Sequence, residues 1–285
     1  MIAVGIFGGL ASQMNQYAFL KLIKRRFPEV DVKMALGDGW RKFDEHNGYE
    51  LDNVFGIERN AISWKELRRL ANFYPGNGFS TKVLNALFLL RSKLFGAKGT
   101  QIQLPVSDIP DWSVLNLDVS RDWLFWSNYP MGFFDEIRTE LLHTFRFPVP
   151  DKANLALLEA IDAANSVSIH VRRGDYIKRR YPILDISWYR NTVKTISAKV
   201  DDPHFFIFSD DPGWTQNNFD FIPRKTIVMG NSGTRDWIDM MLMSHCKHNI
   251  IANSTYSLFA SWLNTNPNKI VIKPDVYPFG TSPKK

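Results

Sequence analysis

The chain has 285 residues, of which 45% are hydrophobic and 14% aromatic, and it carries a formal net charge of +6 with a pI near 9.3. That length suggests about two domains, and the positive balance favours anionic partners: nucleotide phosphates, nucleic acid or an anionic membrane face. The single cysteine, Cys246, excludes an internal disulfide and fits a reducing cytoplasm, and no apolar run approaches the roughly 20 residues that span a bilayer.

In chain order, Ile2-Ala3-Val4-Gly5-Ile6-Phe7 reads as a buried strand, followed by Gly8-Gly9 and a helix with Leu10, Met14, Tyr17, Ala18 and Leu22 on one face. The apolar start lacks a basic region and a small-residue cleavage site, so it reads as a first strand rather than a signal peptide. Gly8 and Gly9 open the helix as phosphate loops do, without matching the dinucleotide or Walker patterns. Gln13, Asn15 and Gln16 are expected to face outward from the first turn, where side-chain amides suit the hydroxyls of a sugar acceptor or are simply solvated. Residues 30–130 carry scattered aromatics, helical patterns near 64–72 and 81–94 and turn signals at Pro75-Gly76-Asn77-Gly78. Specificity is expected to reside there. The basic, apolar segment 82–98 fits either a half-buried helix or one lying on a membrane.

After Pro148-Val149-Pro150 the pattern changes to regular alternation. Strands are expected at 167–171, 205–208, 226–229, 249–252 and 270–272, and helices at 188–200, 235–245 and 256–263. That succession implies a parallel sheet wound with helices, the architecture of a nucleotide-binding domain.

Three strand ends carry chemistry. His170-Val171-Arg172-Arg173-Gly174-Asp175-Tyr176 follows the first of these strands; an Arg pair there suits a diphosphate, because each guanidinium can donate two parallel hydrogen bonds to one phosphate. The alternative is an ordinary surface ion network with Asp175. Ser209-Asp210-Asp211-Pro212-Gly213 places two carboxylates at another strand end, as acceptors for a base or ribose or as a plain turn. Asn253-Ser254-Thr255 precedes a helical pattern, so Ser254 or Thr255 caps it and leaves backbone N–H groups for an anion, or caps it with no ligand. His245 and His248 flank Cys246 at a helix end, and no Asp stands two positions from another Asp, so no metal is expected.

Taken together, these segments resemble the family 11 glycosyltransferases, α-1,2-fucosyltransferases that use GDP-fucose. The resemblance runs through Gly8-Gly9-Leu10, Gln13-Met14, Gln16-Tyr17-Ala18, His170 to Tyr176, Phe208 to Asp211, Asp239, Leu242-Met243-Ser244, Cys246-Lys247-His248, Ile250 to Ser254 and Trp262-Leu263-Asn264. It implies a GT-B-type fold, with two Rossmann-like α/β domains facing a cleft: residues 1–150 on the acceptor side and 151–285 binding the GDP-sugar. It also implies an inverting, metal-independent mechanism in which L-fucose passes from GDP-β-L-fucose to the 2-hydroxyl of a galactoside in a surface glycan or oligosaccharide.

By the same resemblance, Arg172 holds the β-phosphate, and His170 and one of Asp210 and Asp211 contact guanine. Arg173, Ser209, Asn253, Ser254, Thr255, Gly8 and Gly9 complete the expected donor contacts. Gln13, Asn15 and Gln16 are the expected acceptor contacts, with Asp175 and then His170 as general base. The chain departs from the family at Ala11-Ser12, where Gly-Asn is common, at Asn15, where Phe is, and at Tyr256-Ser257-Leu258-Phe259-Ala260-Ser261-Trp262, where Phe-Ser-Trp-Trp-Gly-Ala-Trp is. The expected location is cytoplasmic, with peripheral contact to the inner membrane face if the acceptor is lipid-linked. Two rivals stand beside this reading: a GDP-sugar transferase of another linkage or donor, and a basic non-catalytic protein that binds nucleic acid or a membrane. No nucleic-acid partner is expected, since the basic clusters do not interleave with aromatics.

Overall fold

The computed structural model describes residues 1–36, 47–63, 66–67, 117, 119–120, 122–125 and 128–275. They divide into two compact units, Met1–Arg146 and Phe147–Lys285.

In the first unit β1 (Ile2–Ile6) lies between β2 (Val32–Leu36) and β3 (Trp123–Phe125), all parallel. Every residue of β1 is buried, which is why it reads as a continuous apolar run rather than an alternation. Gly8 then adopts a φ of +77°, and a Cβ there would meet Ser12 Cβ at 3.2 Å. Glycine is therefore required for the turn into α1 (Leu10–Arg26), whose last turn carries Lys24, Arg25 and Arg26 against the negative end of the helix dipole. Arg26 also pairs with Glu136 at 2.7 Å. Two short helices follow, α2 (Glu50–Phe55) and, after a 3-10 turn at Met131–Ile137, α3 (Arg138–Thr144). The helices expected at 64–72 and 81–94, the turn at 75–78 and the amphipathic segment 82–98 lie outside the described residues, except that Glu66 and Leu67 are helical.

The second unit opens with α4 (Lys152–Ala163), capped by Asp151, whose side chain accepts from the Ala153 and Asn154 N–H groups. It continues through β4 (Asn165–Val171), α5 (Gly174–Arg179), α6 (Ile186–Ser197), β5 (Pro203–Ser209), α7 (Pro212–Asn218), β6 (Lys225–Ile227), α8 (Trp237–His245), β7 (His248–Ile250), α9 (Thr255–Leu263) and β8 (Val271–Ile272). The sheet order is β6-β5-β4-β7-β8, parallel throughout.

Two strands stop earlier than their apolar runs suggest. After β6 the Val228 N–H still reaches the Ile207 carbonyl at 2.9 Å, but Gly230 turns the chain at a φ of +92° and Met229 is left 56% exposed. After β7 the Ala252 N–H leaves the ladder for Ser257 Oγ at 3.2 Å. The His248 Nδ1 accepts from the Ile270 N–H at 3.0 Å and ties β7 towards β8.

The two faces of β4 differ in kind. Val167, Ile169 and Val171 enter an apolar core with Tyr189, Ile196 and Phe219. Ser166, Ser168 and His170 are buried on the other face. There Ser166 Oγ accepts from the Lys247 N–H at 3.0 Å, and Ser168 Oγ accepts from Asn249 Nδ2 at 2.8 Å. Asn249 Oδ1 accepts in turn from Asn264 Nδ2 at 2.8 Å. Among the described residues no helix is long and apolar enough to cross a membrane.

Candidate functional site

In an all-parallel sheet every strand delivers its carboxyl end to one edge, and ligands of open α/β sheets bind beyond that edge. Here the residues after β4, β5 and β7 meet. Arg172, the first residue past β4, has its Nε 2.8 Å from Asp175 Oδ1 and 3.2 Å from Asp210 Oδ2. Its N–H is out of line for a hydrogen bond with either oxygen, so both contacts are ion pairs. Burial works against the Arg172 charge, but Asp210 and Asp175 outweigh it and keep the guanidinium protonated. The cation also lies 5.7 Å from the centre of the Tyr176 ring.

Asp210 joins the two strand ends. Its Oδ1 accepts the Arg173 N–H at 2.8 Å, while a Cβ on Gly174 would stand 3.1 Å from its Oδ2. Glycine at 174 thus lets β4's exit close onto the carboxylate. Arg173 lies 3.9 Å over the Trp214 ring with its Nε 3.4 Å from Asp211 Oδ2. Asp211 caps α7 by accepting the Trp214 N–H at 3.1 Å, and its own N–H donates to Ser209 Oγ at 2.9 Å. Both Asp210 and Asp211 are therefore held in structural contacts as well as standing at the edge.

The third strand end brings α9. Ser254 is its N-cap and accepts the Tyr256 N–H at 3.3 Å; Thr255 is its first residue. Asn253 is buried, with Nδ2 donating to the Pro182 carbonyl and Oδ1 left without a partner. The Tyr176 hydroxyl donates to the Asn253 carbonyl at 2.8 Å, so α5 and the start of α9 are tied together. Burial raises that hydroxyl's pKa to about 12.

His170 is only 4% exposed, with its ring 5.5 Å from that of Tyr256. Burial, and then the Arg172 charge, push its pKa down to about 3, so the ring is neutral, and its buried Nδ1 has no partner.

Three residues here were given no role from the sequence: Asp236, Asp239 and Tyr256. The Tyr256 hydroxyl donates to the Asp236 carbonyl at the N-terminus of α8. Burial raises the Asp236 carboxyl to about 6, against the opposing pull of Arg172, and raises Asp239 to about 7 despite a 2.9 Å hydrogen bond from Asn231 Nδ2. The available signal was the Asp236/Asp239 spacing, one turn apart at the start of an otherwise apolar helix.

The first unit overturns one expectation. Gln13, Asn15 and Gln16 do not face outward; they are 0%, 3% and 0% exposed. Gln13 Nε2 donates to the Gly8 and Gly48 carbonyls, and its Oε1 accepts the Glu50 N–H at 2.9 Å. Asn15 holds both backbone groups of Tyr129, and Gln16 accepts the Phe7 N–H while donating to Asn128. The amides face inward because the loops around α1 leave backbone groups that only side chains can satisfy. Gly9 is the N-cap of α1 with no side-chain capping bond. Among the described residues no three His, Cys, Asp or Glu side chains converge as a metal site would require.

Known proteins resemble this chain over its whole length. A family model described as Glycosyl transferase family 11 matches residues 108–279. The O-antigen biosynthesis glycosyltransferase WbnK of Escherichia coli is 29% identical over 98% of this chain and 95% of its own. An alpha-1,2-colitosyltransferase of Escherichia coli is 28% identical over 96% and 91%. Among solved structures, the fucosyltransferase NodZ from Bradyrhizobium aligns at a TM-score of 0.55 with 13% identity, over 91% of each chain, and shares the GT-B fold.

Proposed function

The chain belongs to glycosyltransferase family 11, and from that premise we propose that it moves L-fucose from GDP-β-L-fucose to the 2-hydroxyl of a galactoside within a surface polysaccharide or oligosaccharide. One observation carries the reading: the Arg172 guanidinium, held by carboxylates at the carboxyl end of the central strand, beside the capped N-terminus of α9. A diphosphate in that position meets a fixed positive charge and free backbone N–H groups.

The transfer is a single displacement that inverts the anomeric centre. As the bond to the diphosphate breaks, negative charge grows on the leaving oxygen, and Arg172 and the α9 N-terminus stabilise it in place of a divalent ion. Removing one such donor costs about 10²–10³ in rate. A general base takes the acceptor proton, contributing about 10²–10⁴. Asp175 is the proposed base, with His170 next; the ion pair with Arg172 means that Asp175 has to exchange that partner for the acceptor hydroxyl.

A second donor has a specific observation in its favour, since one relative is named for colitose rather than fucose. The test is GDP release in EDTA from GDP-fucose, GDP-colitose and GDP-mannose with a panel of β-galactosides, comparing the wild type with Arg172→Ala. Acceptor-dependent release from GDP-fucose that the substitution abolishes supports the reading. A preference for GDP-colitose transfers it to the second donor, and a requirement for added metal refutes the metal-free mechanism.

A further inference from the structure

The two groups that face a diphosphate at this edge come from separate parts of the chain. Arg172 follows β4, whereas the free N–H groups of α9 follow β7. Asp175 on α5 and Asp210 after β5 contact the guanidinium, at 2.8 Å and 3.2 Å. Tyr176, the next residue of α5, touches both groups. Its ring centre lies 5.7 Å from the Arg172 guanidinium carbon, and its hydroxyl donates at 2.8 Å to the carbonyl of Asn253, the residue just before the Ser254 cap. The tyrosine is 3% exposed, and the two bonded residues stand 77 positions apart in the chain.

The segment after Tyr176 closes on the same residue. Arg180 ends α5 at a φ of +57°, a left-handed conformation that arginine rarely adopts. Beyond that reversal the Tyr181 N–H donates to the Tyr176 carbonyl at 2.9 Å, and the two rings meet edge to face with centres 5.4 Å apart. One residue further, the Pro182 carbonyl accepts Asn253 Nδ2 at 2.8 Å. Asn253, itself 1% exposed, is thus gripped by its carbonyl from α5 and by its side chain from the loop that follows. Unfavourable backbone such as that of Arg180 persists only where its surroundings over-determine it.

We propose that Tyr176 is a positioning residue for the donor diphosphate. By joining α5 to the start of α9, it sets the Arg172 guanidinium and the free N–H groups of α9 at one spacing before the ligand arrives. This rests on the reading that the diphosphate binds between those two groups. Tyr176 touches no reacting atom; it acts through Arg172 and α9. Groups that stabilise a growing charge do so best when they are already fixed in place, since no free energy is then lost in gathering them. With the tie broken, the ligand itself has to fix the spacing, and affinity falls.

The test is calorimetry of GDP binding to the full chain at pH 7.5, as a double-mutant cycle of Tyr176→Phe and Arg172→Ala. Phenylalanine keeps the ring beside Arg172 and removes only the tie, so the melting temperature should fall by only about 3 °C. The expected result is a Kd about tenfold weaker in Tyr176→Phe. Once Arg172 is alanine, the same change should cost less than about twofold, because no spacing is left to set. Tyr49→Phe is the control: it removes a hydroxyl that likewise donates to a backbone carbonyl, that of Ile57 in the first unit, and should leave GDP affinity unchanged. Amide exchange in the wild type gives a second readout that needs no change at residue 176. GDP should slow exchange in residues 174–178 and 254–257 by about the same factor, as one cooperative unit does. Equal losses in the two backgrounds, an unaltered Kd in Tyr176→Phe, or protection of only one segment overturns the inference and leaves the donor reading standing. If GDP binds neither protein, or binds the wild type and Arg172→Ala alike, the donor reading fails and the inference with it.

Discussion

Asp210 is the residue whose replacement the geometry prices most directly. One oxygen accepts the Arg173 N–H at 2.8 Å, and the other stands 3.2 Å from Arg172 Nε, with the two side chains 23% and 27% exposed. Asparagine keeps an acceptor for the N–H but loses the charge. A charge-assisted hydrogen bond exceeds a neutral one by about 1 kcal/mol, and a partly exposed ion pair adds up to about 1 kcal/mol. Asp210→Asn should therefore cost about 2 kcal/mol. Alanine also strips the Arg173 N–H of its partner, a further 1–3 kcal/mol or so, for a total of about 4 kcal/mol. At roughly 3 °C per kcal/mol, the melting temperature should fall by about 6 °C for asparagine and about 12 °C for alanine. Thermal unfolding by circular dichroism at pH 7.5 measures both. If both variants melt with the wild type, or asparagine costs more than alanine, Asp210 is not the junction of the two strand ends.

Asp239 predicts a pH dependence. Burial raises its folded pKa to about 7, above the ordinary carboxylate value, so the folded state binds the proton more tightly than the unfolded one. Its contribution makes stability fall as pH rises from about 4 to about 7 and level off beyond. Asp239→Asn should flatten that decline in melts between pH 5 and 8, and an unchanged slope would refute the assignment. For the amides of α1, Asn15→Leu leaves both Tyr129 backbone groups unpaired and should cost about 3 kcal/mol by urea unfolding. Stable Asn15→Leu protein with only a raised acceptor KM would restore the acceptor role to that residue. Ser254→Ala should lose about 1 kcal/mol and Ser254→Gly only a few tenths, because both keep the backbone N–H groups but alanine suits a cap poorly; equal losses in chemical denaturation would count against the cap.

Much of the second unit was legible because its central strands are buried from Ser166 to Val171 in β4 and from Phe205 to Phe208 in β5, and each runs straight into a charged turn that cannot continue the apolar run. Arg172, Asp210 and Ser254 all sit where a strand ends, and the parallel sheet alone brings them to one edge. The helix α4 escaped because only Asn154 and Ile161 of its twelve residues are buried, which leaves no apolar stripe to read. The short helices α5 and α7 each span less than two turns, too few for a period to register. The inward turn of Gln13, Asn15 and Gln16 was illegible for a different reason. An amide that satisfies loop carbonyls looks the same in sequence as one that greets solvent, and its partners lie up to 116 residues away.

The serine and histidine face of β4 sets how this unit can change over generations. On the valine and isoleucine face, one aliphatic side chain can replace another at small cost. On the opposite face, Ser168, Asn249 and Asn264 are linked donor to acceptor, so replacing one strands the next. Drift is thus allowed on one side of a single strand and demands concerted pairs on the other. The helices that carry Asp236 and Ser254 stand over the side that drifts least.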